Sequence, residues 1–356
     1  MIRRASLRLS CLLLIALVPL QALAAPKAVL TAPHMDGPTR VEFSTEKVSK
    51  WTDLPLGTYR VPNSDVIISG HQKGGAAPML LFGLVGVAVQ GAVNAQNGKE
   101  AMASAEQALT FSMHDQATEM LQGLLAENDY AGRFTAAETG QRKFEVTGAV
   151  VLSFANQAEA LPYVTLRVKL LDDKGKKVWT TRYITSEGAR KPVVGEGSWT
   201  ANGGALLHSH VNTMLELALR TMLKDIAEPY PRDEASLVTA KGFFPHVNKP
   251  LQVVGYKLAE ENGRMLFLPK LGTSIVFAGV NVLDTRTMAL APTVKGDAPL
   301  KLLKVDDPAL QLQARVSVEP VVATTAAIEA PAAIDAEVES SPDAGAAVEQ
   351  EAEGGQ

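Results

Sequence analysis

Residues 161–185 read LPYVTLRVKLLDDKGKKVWTTRYIT. Val164, Leu166, Val168 and Leu170 alternate with Thr165, Arg167 and Lys169. That is the period-2 pattern of a strand with one face in a core. Asp172 to Lys176 supplies turn chemistry, with Gly175 free to take a positive φ. Val178 to Thr185 pairs back, with Trp179, Thr181 and Tyr183 on one side. The stretch predicts a β-hairpin, and the rest of the fold can be built outward from it.

Upstream, Lys143 to Phe154 reads as a strand. Gly98 to Ala126 reads as an amphipathic helix region, with Ala105, Leu109, Met113, Ala117, Met120, Leu121 and Leu124 spaced by three and four. Thr58 to Ser69 reads as a strand interrupted by Pro62. Residues 26–57 read as extended chain with one short strand, Arg40 to Ser44. Downstream, a Gly/Ser loop from Gly188 to Gly204 leads to a helix over Leu206 to Ala227. Leu207, Val211, Met214, Ala218, Met222 and Ile226 lie on one face of that helix. The order β-α-β-β-β-α predicts an α+β two-layer sandwich over 58–228. Pro229 and Pro231 stop the helix and stiffen a linker at 229–234. Short strands are predicted at 251–258, 264–267, 274–277, 300–303 and 310–318, so 235–318 is expected to be a small all-β domain.

The stretch LPYVTLRVKLLDDKGKKVWTTRYIT, followed by a loop and a long helix, resembles the core of the periplasmic auxiliary proteins of ABC-type transporters. The resemblance covers 58–228 and is strongest over 143–228. It implies a non-catalytic partner in envelope lipid or solute transport. The chain departs from that family by lacking a lipobox Cys, by an apolar Gly-rich insertion and by an added C-terminal region. These departures leave membrane attachment and choice of partner open.

The ends are set apart by composition. Residues 1–25 carry Arg3, Arg4 and Arg8, an apolar run from Cys11 to Leu20, and the small-residue end Ala22-Leu23-Ala24. This predicts a secretory signal cut near Ala24 or Ala25. Cys11 starts the apolar run rather than ending it, so acylation is not expected. It is also the one Cys among 356 residues, so the processed chain would carry no thiol. A Cys nucleophile, a Cys-ligated zinc and an iron–sulfur cluster are thereby excluded. Residues 319–356 form an Ala- and Glu-rich tail; from Pro320 onward it holds 11 Ala and eight acidic residues, and neither Lys nor Arg. Such a segment buries too little apolar surface to offset its chain entropy, which predicts disorder. The whole-chain charge of −4 thus averages a cationic signal, a nearly neutral body and an acidic tail. A neutral body argues against nucleic-acid binding through phosphate neutralisation.

Ala76 to Ala95 reads AAPMLLFGLVGVAVQGAVNA, without a charge. Its length would cross a hydrocarbon core at about 1.5 Å rise per residue. Two readings stand: a segment buried in the protein, and a membrane- or lipid-contacting hairpin presenting Leu80, Leu81, Phe82, Leu84, Val85, Val87 and Val89. Burial is favoured, because internal apolar helices outnumber second spans.

No phosphate-binding loop, dinucleotide fingerprint, nucleophile elbow, zinc-protease or calcium-loop motif is present. His208-Ser209-His210 is the one close histidine pair among six His. At a helix start the two diverge by about 200°, so a zinc site is not expected. Asp172-Asp173 fits a turn, His246 fits packing, and Trp179, Tyr183 and Trp199 fit the sheet-to-helix core. The expectation is a non-enzymatic exported protein of the periplasm or cell envelope, an accessory or binding component whose partner is an envelope protein or a lipid, with no cofactor and no metal. The alternative is an exported hydrolase with a dispersed or metal site drawn from His208, His210 and Glu216.

Overall fold

The computed structural model describes residues 31–307, apart from 34, 36, 56–57, 71–104, 128–129, 131, 136–141, 157, 272–274 and 305–306. In chain order its first strands are β1 (Thr39–Phe43), β2 (Tyr59–Arg60), β3 (Val66–Ser69), β4 (Phe134–Thr135), β5 (Lys143–Phe154), β6 (Glu159–Leu171), β7 (Lys177–Thr185) and β8 (Lys191–Pro192). After the Pro-rich linker come β9 (Leu237–Gly242), β10 (Leu251–Glu261), β11 (Arg264–Pro269), β12 (Val280–Asp284), β13 (Ala289–Pro292) and β14 (Leu300–Leu302). The helices are α1 (His114–Leu125) and α2 (Ala205–Ala227).

These strands form one large mixed sheet, ordered β13-β9-β10-β11-β12-β7-β6-β5-β1-β4, with β2, β3, β8 and β14 attached to its sides. The opening hairpin is β6–β7, and Gly175 sits in its turn at φ 73°. β5 pairs antiparallel along all of its length with β6, from Lys143↔Leu171 to Phe154↔Ala160. β1 and β3 lie parallel against the other edge of β5, one beside each half. The 143–154 strand, the hairpin and the 206–227 helix fall where their periodicity placed them.

The pleat of β5 and β6 feeds two apolar cores. Phe144, Val146, Val150 and Leu152 of β5, with Val164, Leu166, Val168 and Leu170 of β6, join the buried faces of α1 and α2. Ala149, Val151, Leu161 and Tyr163 point the other way, into a second core with Trp51, Phe244, Phe267 and Phe277. Trp179, Tyr183 and Trp199 are buried in the helix-side core.

The chain after the linker does not stand apart as the sequence suggested. β12 pairs parallel with β7 through Val280↔Tyr183, Asn281↔Ile184 and Val282↔Thr185, so the sheet runs on across the linker. Tyr256, Leu258, Leu268 and Val280 enter the helix-side core, while Leu251, Val253 and Met265 enter the other. Of the expected strand at 274–277, Ser274 lies outside the described residues and 275–277 form a turn before β12, closed by Ala278 N donating to the Ile275 carbonyl at 2.8 Å. The expected strand at 310–318 lies outside the described residues, as do the 1–25 signal and the 319–356 tail.

α1 is shorter than the 98–126 periodicity implied. Ala105, Leu109 and Met113 are still buried with Ala117, Leu121 and Leu124. A 3-10 turn (Gln107–Leu109) and an extended step intervene before the helix begins at His114. α2 begins after three left-handed residues, Asn202, Gly203 and Gly204, at φ 51°, 67° and 84°. A Cβ on Gly204 would sit 2.8 Å from the Ala108 carbonyl oxygen, so the helix start needs glycine for space as well as for conformation.

At its other end α2 is locked to the linker. Asp225, buried, accepts from the Tyr183 hydroxyl at 2.9 Å and from Arg232 Nη2 at 2.8 and 2.9 Å. Arg232 also donates to the Tyr230 carbonyl, which fixes the chain between Pro229 and Pro231. One carboxylate thereby ties helix, strand β7 and linker together.

Candidate functional site

A cleft of about 650 Å³ opens among the described residues. Its walls are the segment after β1, the β2–β3 hairpin and the residues that start α1, with Gly148 of β5 below. Local chemistry holds these walls together. Asn63 takes φ 54° in the hairpin turn, a conformation that a short polar side chain tolerates. Ser64 Oγ donates to the Leu109 carbonyl at 2.6 Å and to that of Phe111 at 3.1 Å. Asp65 accepts from Met113 N at 2.8 Å and from Ser112 Oγ at 3.3 Å. It thereby satisfies a donor that helix geometry leaves without an intrahelical partner. His114 Nδ1 lies 3.3 Å from the Ser44 carbonyl oxygen, and its ring leans on Phe43.

The cationic side of the cleft is less fully engaged. Arg60 Nη2 donates to the Trp51 carbonyl at 2.6 Å. Its buried Nε has no partner, and no carboxylate meets the guanidinium among the described residues. Lys47 has no ion pair among the described residues. Glu46, by contrast, turns away to Lys169 at 2.5 Å.

The sheet face turned away from the helices carries an alternating set of charges. Glu42 bridges Arg40 and Lys143, and Lys169 bridges Glu46 and Glu145. Arg167 and Arg182 stand directly opposite each other in the β6–β7 register. Like charges so placed repel, and Asp53 is seated between them, accepting from both. Burial alone would raise the Asp53 pKa; Arg182 and then Arg167 outweigh it and hold the carboxyl below its usual range. Arg167 also stacks 4.2 Å from the Trp51 ring centre. His246, next to this group at φ 67°, is buried, and its Nδ1 has no partner among the described residues. Burial pushes its imidazole down to about 3, with the Arg182 charge acting in the same direction. It is a neutral core histidine at any ordinary pH.

The residues singled out from sequence are scattered. Leu80, Leu81, Phe82, Leu84, Val85, Val87 and Val89 lie outside the described residues. Among the described residues, no helix is long and apolar enough to cross a membrane. His208 stacks on Phe111 with ring centres 4.8 Å apart. His210 meets the Glu187 carboxylate and the edge of Trp199. Glu216 binds Arg220 one helical turn on, at 2.8 Å. The three are therefore not brought together, and no group of three or more His, Cys, Asp or Glu suited to a metal occurs among the described residues. Asp172 accepts from the backbone N–H groups of Lys174 and Lys176, as a turn aspartate does.

The cleft itself escaped the sequence. Asp65 and Met113 are 48 positions apart, and no local pattern joins them. The one available signal was Asn63-Ser64-Asp65, three turn-forming residues between two apolar runs.

No family model matches the chain, and no curated protein matches it. Among solved structures, protein XCC0632 from Xanthomonas campestris, described under the family model DUF330, is similar at 11% sequence identity. The match covers 55% of this chain and 87% of that one, with a TM-score of 0.21, a likeness too weak to carry an argument.

Proposed function

We propose that the protein is a non-enzymatic, exported component of the cell envelope that binds a partner protein or a lipid. In this reading the hairpin and α2 belong to the α+β two-layer unit expected from sequence, and the later strands extend it. The observation that carries the proposal is the state of the groups around the 650 Å³ cleft. Glu46 is paired with Lys169, Asp65 caps α1, and His114 leans on Phe43 beside the Ser44 carbonyl. General acid–base or nucleophilic chemistry needs a nucleophile and a base in mutual reach. These groups are instead arranged as the walls of a recess that could hold a ligand. The cationic leader, the apolar 76–95 stretch and the resemblance of 58–228 to transporter auxiliary proteins agree with an envelope setting.

Fractionation of a tagged full chain tests this. The expected result is a processed chain recovered with the membrane or in complexes with an envelope component. An unprocessed cytoplasmic pool, or a chain that turns over ester or glycoside substrates when pure, would overturn it.

A further inference from the structure

We propose that the cleft bounded by residues 43–49, 60–65 and 112–114 binds an oxyanion, the phosphate group of a soluble ester or of a lipid headgroup, with Arg60 as its anchor and Lys47 at its rim. The proposal rests on the cleft and stands whether or not the envelope assignment does.

Arg60 carries the argument. Its guanidinium offers five N–H donors in a planar fork matched to phosphate and carboxylate oxygens. One of its nitrogens reaches a neutral acceptor, the Trp51 carbonyl. Its Nε is buried and unpartnered, and no described carboxylate neutralises it. Arg167 and Arg182, by contrast, sit directly on Asp53, and Arg232 sits on Asp225. A half-buried cation without a counter-charge is costly, and a bound anion relieves that cost.

The surroundings favour an anion over a cation. Both carboxylates lining the cleft are already engaged, Glu46 by Lys169 and Asp65 by the start of α1. Lys47 adds an ammonium that meets no carboxylate among the described residues. Thr45 and Ser49 line the same space with hydroxyls that make no hydrogen bond to the described residues. Among the described lining residues, two cations and two hydroxyl donors against no free carboxylate make an oxyanion receptor. At about 650 Å³ the recess is larger than a phosphate ion needs, and its volume suits a phosphate ester or headgroup.

The test uses the purified full chain at low ionic strength. Calorimetric titration with glycerol 3-phosphate probes a soluble ester. Co-sedimentation with phosphatidylglycerol vesicles, against phosphatidylcholine vesicles, probes a headgroup. Saturable binding in either arm is expected, and the arm that responds identifies the source. Arg60→Gln should weaken it about tenfold or more, the scale of one charge-assisted hydrogen bond. Lys47→Gln, at an exposed position, should weaken it severalfold without touching the fold; Lys177→Gln at the hairpin should leave it unchanged. Should Arg60→Gln fail to fold, Arg60→Lys and Lys47→Gln decide. Absence of saturable binding in both arms overturns the proposal, as does binding that ignores Arg60 and Lys47 or falls equally in Lys177→Gln.

Discussion

Replacing Asp225 with Asn should damage this protein more than any surface change of similar size. Asp225 and Arg232 are 5% and 7% exposed at the side chain. The carboxylate receives two bonds from Arg232, one from Tyr183 and a longer one at 3.3 Å from Tyr230 N. The Asn side chain keeps the shape and loses the charge. It turns one acceptor into an NH₂ that faces donors, and leaves the guanidinium buried without a counter-ion. Breaking a buried ion pair from one side costs about 3–5 kcal/mol. At about 2–4 °C per kcal/mol for a body of this size, Tm should fall by roughly 6–20 °C. The reversal is more telling than the loss. Replacing both partners, Asp225→Asn with Arg232→Met, removes the stranded charge. It should recover a large part of the stability, because buried pairs exchange for apolar groups at little net cost. Thermal and urea unfolding followed by circular dichroism measure both. A loss below about 1 kcal/mol in Asp225→Asn would refute the latch. So would a double variant no more stable than the single one.

Burial and backbone geometry set three further expectations. His246, held neutral by burial down to about pH 3, is protonated in the unfolded chain below its ordinary pKa; stability should therefore rise with pH from about 3 to 6.5, by up to ~1.4 kcal/mol per unit. His246→Asn, which also tolerates the left-handed backbone, should remove that slope in urea titrations, and an unchanged slope would count against it. Asp53 is depressed in the folded state, so its contribution is present above the ordinary carboxylate range and disappears as pH falls through its folded value. The stability gap between wild type and Asp53→Asn should be open at pH 7 and close in acid; a gap independent of pH would be the wrong result. Gly204→Ala meets both a left-handed backbone and the Ala108 carbonyl, whereas Gly203→Ala meets the backbone strain alone, with nothing within 4 Å. The first should cost more than the roughly 1–2 kcal/mol expected of the second, and equal melting temperatures would contradict the close approach.

The parts of the fold that sequence disclosed are those whose forces are local. The 164–170 alternation, the Asp172–Lys176 turn and the apolar face of 207–226 are written in successive residues, and each element lies where it was expected. What sequence concealed depends on partners distant along the chain. The parallel docking of β12 on β7 joins residues about a hundred positions apart, so the strands after the linker resembled a separate module. Ser274 to Phe277 has strand composition, yet Phe277 turns into the second core while residues 275–278 form a turn. The same limit applies to the cleft. Arg60, Asp65 and His114 are unremarkable in their own neighbourhoods, and only the docking of β3 beside β5 sets them around one space. His208 and His210, two positions apart at a helix start, point in different directions as that spacing implied, and serve different contacts.

Cross-linking in intact cells, followed by mass spectrometry of the tagged full chain expressed at its natural level, addresses the central claim most directly. The account predicts a chain processed near Ala24 or Ala25 and linked reproducibly to an envelope protein or recovered with lipid. A chain found free in the soluble fraction, with no adduct of either kind, would contradict it.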